Sequence, residues 1–180
     1  MEINFVAKDG TEFLLRELRK TDAPLLLRWI NEIIEEAPVG LPRLKKKTIN
    51  EEKEWVEKNL ELRENKKGVL FVVEKDDKIV GAIEISPEPG IDYSHYTTFH
   101  ITILKQFRGK GLGTFMLKSA MGWVKENMSE LDFIKIDAFS NNRAIDLYKR
   151  LGFKKVATIP KKVKRRKEYL DEIVMYYYLD

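Results

Sequence analysis

Apolar and polar residues alternate from Glu2 to Leu18 around Asp9-Gly10, a hairpin-like turn signal, with Thr11 to Leu18 predicted as the first strand of a core sheet. Thr21-Asp22 with Pro24 behind starts a helix, and Leu26, Leu27, Ile30, Ile33 and Ile34 give it one apolar face. Pro38 to Pro42 ends that helix in a loop. A second helix starts at Asn50 with Glu51 and Glu52, and Trp55, Val56 and Leu60 form its stripe. Val69–Val73 and Ile79–Ile85 are strands joined at Asp76-Asp77, and Pro87 to Gly90 breaks the sheet.

The second half is organised around one junction. Thr97 to Leu104 reads as a strand, and the period of Leu112, Phe115, Met116, Ala120, Trp123 and Val124 as a helix. Between them lies Lys105-Gln106-Phe107-Arg108-Gly109-Lys110-Gly111-Leu112-Gly113-Thr114. The first turn of a helix carries unpaired N–H groups and the positive end of the macrodipole. Glycines there remove the Cβ atoms that would hold a phosphate away, and Arg108 and Lys110 add charge. The expected ligand is a pyrophosphate or another phosphate ester. The alternative is a tight turn that only caps a helix. The stretch is no P-loop, lacking the Gly-Lys-Ser/Thr ending, and no dinucleotide fingerprint.

Phe133 to Ala138 alternates as a strand; a short helix carries Ala144, Leu147, Tyr148 and Leu151 and stops at Gly152. Phe153–Ile159 and Tyr169–Leu179 close the sheet, with Tyr176-Tyr177-Tyr178 read as strand and a homodimer contact as the alternative.

Arg108–Thr114 and Asn141–Phe153, in this order and at this separation, closely resemble the signature motifs of the GCN5-related N-acetyltransferases (GNAT superfamily). The resemblance runs from about Thr11 to the C-terminus. It implies an α/β (α+β) fold: a mixed, mostly antiparallel sheet of about seven strands with helices on both faces, in one domain spanning residues 1–180. It also implies an acetyl-CoA-dependent N-acetyltransferase acting by direct attack of an amine in a ternary complex. The expected acceptor is a protein or peptide amine or a small polyamine-like metabolite.

The resemblance further implies site residues. Backbone groups of Ile101, Thr102 and Ile103 would bind pantetheine; Arg108, Gly109, Lys110, Gly111, Leu112, Gly113 and Thr114 would take the pyrophosphate, and Asn141 would contact the cofactor. Tyr148, seven residues after Asn141, would be the general acid, since a phenol near pKa 10 is protonated at neutral pH. Its packing alternative is a core tyrosine at i+4 from Ala144. A lysine-like amine is neutral in well under ~0.1% of molecules at pH 7, so a base is needed. Asp137, Glu84 and His100 are the candidates, each with a purely structural alternative: a surface ion pair for the carboxylates, a satisfied polar residue for His100.

Composition narrows the field. The 180 residues contain no cysteine, which removes disulfides, thiolate metal sites and cysteine nucleophiles, and only two histidines, too few for a histidine-built metal site; no metal is expected. The start Met1-Glu2-Ile3-Asn4 lacks a secretory pattern and no apolar run approaches a membrane span, so the expectation is cytoplasmic with no membrane partner. A net charge of +4 with 34% charged residues of both signs favours acidic partners only weakly. Two rival classes stay open. A catalytically inactive acyl-CoA-binding regulator would keep the glycine loop. A nucleic-acid module would use Lys45-Lys46-Lys47 and the basic run from Lys161 to Lys167, but neither aromatic interleaving nor a nucleic-acid motif accompanies these runs.

Overall fold

The computed structural model describes residues 1–36, 45–165 and 168–179. Its elements run β1 (Glu2–Val6), β2 (Glu12–Glu17), α1 (Ala23–Glu36), α2 (Ile49–Glu64), β3 (Val69–Lys75), β4 (Lys78–Pro87), β5 (Tyr96–Ile103), α3 (Leu112–Asn127), β6 (Phe133–Phe139), α4 (Ala144–Arg150), β7 (Lys154–Arg165) and β8 (Glu168–Tyr178). They form one eight-stranded sheet in the order β1-β2-β3-β4-β5-β6-β8-β7, antiparallel except for β5 beside β6. The expected loop from Pro38 to Pro42 lies outside the described residues.

Local chemistry accounts for most boundaries. Asp76 and Asp77 take φ values of 50° and 58°, the left-handed pair that a two-residue hairpin turn requires. α2 begins earlier than the acidic pair suggests, because Thr48 is its cap: Glu51 N donates to Thr48 Oγ1 (3.4 Å) and Thr48 N donates back to the Glu51 carboxylate (2.8 Å). Gly152, at φ 97°, ends α4. The eighth strand is β1, which pairs with β2 from Glu2↔Arg16 to Val6↔Glu12 and makes the N-terminal alternation a true hairpin.

Both sheet faces are buried, by different helices. Phe71 meets Trp123 of α3 edge-on at 6.0 Å, and a Cβ on Gly81 would sit 3.5 Å from Met116 Cε. The face of Phe71, Gly81 and Ile83 therefore lies under α3. α1 and α2 pack on β4 and β3 over the alternate face, where Leu70, Val72 and Ala82 are buried. α1 buries Leu26, Trp29 and Ile33; each such side chain contributes about 1.5–3 kcal/mol. Among α1, α2 and β2 sits a buried ion network. The Arg16 guanidinium donates to both Asp22 oxygens (2.7 and 2.9 Å) and to Glu74 (2.8 Å).

Candidate active site

The site begins where two strands part. β5 and β6 pair in parallel only from Tyr96↔Phe133 to Thr98↔Lys135. Beyond Thr98, β5 stays with β4 as far as Gly81↔Ile103, whereas β6 stays with β8 as far as Phe139↔Glu172. A wedge opens between Phe99–Ile103 and Ile136–Phe139, toward the C-terminal ends of both strands.

Backbone polarity along the wedge follows from one hydrogen bond. Leu104 N donates to Val80 O at 2.9 Å, so by antiparallel alternation Thr102 and His100 also turn their N–H and C=O toward β4. Ile101 and Ile103 turn theirs into the wedge. Of the three residues expected to offer backbone groups there, Thr102 thus has them committed to its neighbour Ala82. The Ile103 carbonyl already accepts from Arg108 Nε at 2.7 Å.

The glycine turn stands at the wide end. Gly109 (φ 77°) and Gly111 (φ 87°) are left-handed, and α3 starts with no side chain capping it. Among the described residues the amides of Gly109 through Thr114 find no acceptor. The loop's cations, in contrast, are engaged. Lys110 Nζ pairs with Asp9 at 2.6 Å, and Arg108 Nη2 pairs with Glu36 at 2.7 Å. The hydrogen bond from Lys110, with help from Thr11, holds the Asp9 carboxyl well below its usual range. Glu36, the last residue of α1, also accepts from Lys105 N at 2.7 Å. The donors left open at this corner are therefore backbone amides.

α4 lies against the same corner: a Cβ on Gly113 would be 3.5 Å from both Leu147 Cδ2 and Ile103 Cδ1. Asn142 organises its first turn, its Oδ1 accepting from Ala144 N at 2.9 Å, which leaves the exposed side chain of Asn141 without a protein partner among the described residues. Tyr148 is 4% exposed, packs against Phe153 at 6.0 Å, and its hydroxyl has no hydrogen-bond partner among the described residues. Burial pushes its phenol up to about 12.

Asp137, Glu84 and His100 share the opposite sheet face, Glu84 and His100 on one lip of the wedge and Asp137 on the other. Glu84 and His100 are direct partners across β4 and β5. The parallel register aligns Thr98 with Lys135, so His100 and Asp137 each stand two residues further along, at the narrow end of the wedge. Burial raises the Glu84 carboxyl above the usual carboxylate range, with His100 and Lys58 pulling in the other direction. Asp137 is in an ion pair with Lys135 at 3.1 Å, and its Oδ1 is buried without a partner among the described residues. Lys135 reaches Glu88 as well, at 3.2 Å. Burial opposes its charge, but Asp137 and Glu88 outweigh that and raise its pKa.

Comparison with known proteins decides the reading. The profile of the Acetyltransferase (GNAT) family matches residues 27–153. The chain belongs to this family. Membership makes it an acyltransferase, and the matched span contains the wedge, the glycine turn and α4. It is 29% identical over 163 residues to an N-alpha-acetyltransferase of Sulfurisphaera tokodaii, covering 85% of this chain and 87% of that one. The GNAT fold is equally clear in solved structures. A Vibrio fischeri ribosomal-protein-S5-alanine acetyltransferase superposes with TM-score 0.85 at 17% identity, covering 100% of this chain and 97% of the other. A Salmonella typhimurium structure solved with its cofactor acetyl-CoA gives 0.81 at 18%, covering 93% and 94%.

Four contributors to this GNAT site escape a reading of the sequence: Glu36, Asp9, Lys135 and Glu88. Glu36 lies 72 positions from Arg108 with no local pattern linking them. Lys135 could have been found, since it alternates with Asp137 on one strand and an adjacent carboxylate at i+2 is an ion-pair signal.

Proposed function

We propose that the protein transfers the acetyl group of acetyl-CoA to a peptide or protein α-amine. The reading is carried by one arrangement: a strand wedge leading from the amides of Gly109–Thr114, which find no acceptor among the described residues, past Ile101 to a narrow end flanked by Glu84, His100 and Asp137. The S. tokodaii relative, named an N-alpha-acetyltransferase, supports the choice of amine.

In this reading pantetheine lies in the wedge as an added strand, and the diphosphate sits on the amides at the start of α3. The acceptor approaches from the face of Glu84 and His100. One of these takes its proton, directly or through water, and the free amine attacks the thioester carbonyl carbon. The carbonyl oxygen gains the negative charge beside an inward amide of β5, an interaction worth about 3 kcal/mol. The C–S bond then breaks, the nitrogen gives up its second proton to solvent, and Tyr148 donates a hydrogen bond to the departing thiolate. A phenol at about 12 holds its proton more tightly than a thiol near 8.5. Tyr148 therefore assists chiefly by hydrogen bonding, with the thiolate's protonation state settled against solvent. Products are the N-acetylated amine and CoA.

The test is incubation of the full chain with acetyl-CoA and a panel of acceptors: short peptides with free or blocked N-termini, free lysine and spermidine. Free thiol released in step with acetylation of the unblocked peptides alone supports the reading. Release with spermidine alone assigns a small polyamine instead. Binding of CoA without thiol release with any amine overturns catalysis in favour of a CoA-binding regulator.

A further inference from the structure

β7 is the outermost strand of the sheet and is exposed from Lys154 to Lys162. Between Lys154 and Arg165 it carries six basic residues and no acidic one. β8 pairs with β6 only as far as Glu172 and continues with β7 through Val163↔Leu170 to Arg165↔Glu168, so the end of the hairpin runs past the last β6 pair. Register places Lys155 opposite Met175 and Lys164 opposite Tyr169, on one face. The Lys161 and Lys164 ammonium groups stand 5.9 and 5.4 Å from the centre of the Tyr169 ring, which is 52% exposed. Lys162 has a carboxylate partner, Glu172 at 3.8 Å. Lys155, Lys161 and Lys164 have none among the described residues.

An edge lysine or two is ordinary protection against strand pairing. Two ammonium groups without a carboxylate partner at a half-exposed ring, with Lys155 further along the same face, exceed that need. Like charge along the edge also opposes pairing with a second copy of itself. Lysines that meet phosphates, beside an aromatic ring that stacks with a base, are the means by which proteins hold single-stranded nucleic acid. A purely acidic peptide would use the charges and leave the ring idle. The arrangement is independent of the acetyltransfer site and of the acceptor assigned to it.

We propose that this face of the β7–β8 hairpin binds single-stranded nucleic acid. The measurement is fluorescence anisotropy of a labelled oligouridylate with the full chain over a salt series, in parallel with the matching deoxy strand, a DNA duplex and polyglutamate as competitor. Three phosphate contacts correspond to a slope of log affinity against log salt of roughly −2. Lys161→Gln with Lys164→Gln should bring the slope to roughly −0.7, whereas Tyr169→Ser should weaken binding several-fold and leave the slope in place. All three side chains are exposed, and unchanged thermal melting of the variants checks that the fold persists. A salt-insensitive affinity, a slope that survives the double lysine change, or Tyr169→Ser binding as tightly as the unaltered chain overturns the proposal. So does tighter binding of the duplex, or polyglutamate displacing the oligonucleotide at equal charge; the ribo and deoxy strands tell which single strand is preferred.

Discussion

Glu84 and His100 face each other directly across β4 and β5, on the sheet face away from Tyr148. Their positions along the sequence give no hint of it, because fifteen residues and a turn separate them. The pairing puts side by side what the sequence offers as two separate candidates. Glu84 has its carboxyl raised by burial, so it keeps a proton to higher pH than an ordinary glutamate. It becomes a base only as pH climbs past that raised value, and kcat/KM should therefore show an acidic limb above the normal carboxylate range. Glu84→Gln should remove this limb and lower kcat about 10²-fold or more. An unmoved limb assigns the base to His100 or Asp137. In stability the sign is opposite to that of a salt-bridged acid. A raised folded-state pKa favours the fold at low pH, and that contribution is lost as pH rises through it.

Tyr148→Phe isolates the hydrogen bond proposed for the departing thiolate. The ring packs against Phe153 and the hydroxyl has no partner among the described residues, so removing the oxygen should leave melting nearly unchanged. CoA affinity should also be retained, while kcat falls about 10²-fold or more. Calorimetric titration with CoA beside single-turnover acetylation reads both quantities. Loss of affinity together with turnover would mean that the residue packs the wedge and does no chemistry.

Gly111 and Gly113 should part company under the same change to alanine. Gly111 is left-handed at φ 87°, where a Cβ costs roughly 1–2 kcal/mol. Gly113 lies within α3, and a Cβ there would make ordinary contacts at 3.5 Å with Ile103 and Leu147. Gly113→Ala should match the parent in thermal melting or exceed it by up to about 1 kcal/mol. Gly111→Ala should lose stability and tilt the amides on either side, with CoA affinity dropping in the same preparation. Equal behaviour of the two variants would show that the left-handed turn is not what shapes the loop.

Legibility tracks how local the cause is. The Asp76-Asp77 turn, the Gly152 stop and the glycine run before α3 each rest on one or two residues and their φ preferences, and each stands where the sequence puts it. The start of α2 slips by a residue because two acidic residues looked like the helix signal, when Thr48 held the capping role. The wedge is of another kind. Nothing in Thr97–Leu104 states that its pairing with β6 stops at Thr98, since that depends on where β8 inserts. The same holds for the charges of the loop. Arg108 and Lys110 read as free cations in one dimension and prove to be held by Glu36 and Asp9, residues brought in by α1 and by the first hairpin.

Glu36 gives that long-range tie a measurable consequence. One of its oxygens fixes Lys105 N and the other fixes Arg108, whose Nε in turn occupies the Ile103 carbonyl. Glu36→Ala should free the guanidinium and the end of β5 together, raising the KM for acetyl-CoA several-fold with a smaller effect on kcat. Arg108 is well exposed, so its ion pair with Glu36 adds little to global stability. Glu36→Gln keeps one acceptor for the Lys105 amide and should recover part of the lost affinity. A KM identical in all three proteins would mean that the glycine amides hold their geometry without help from α1.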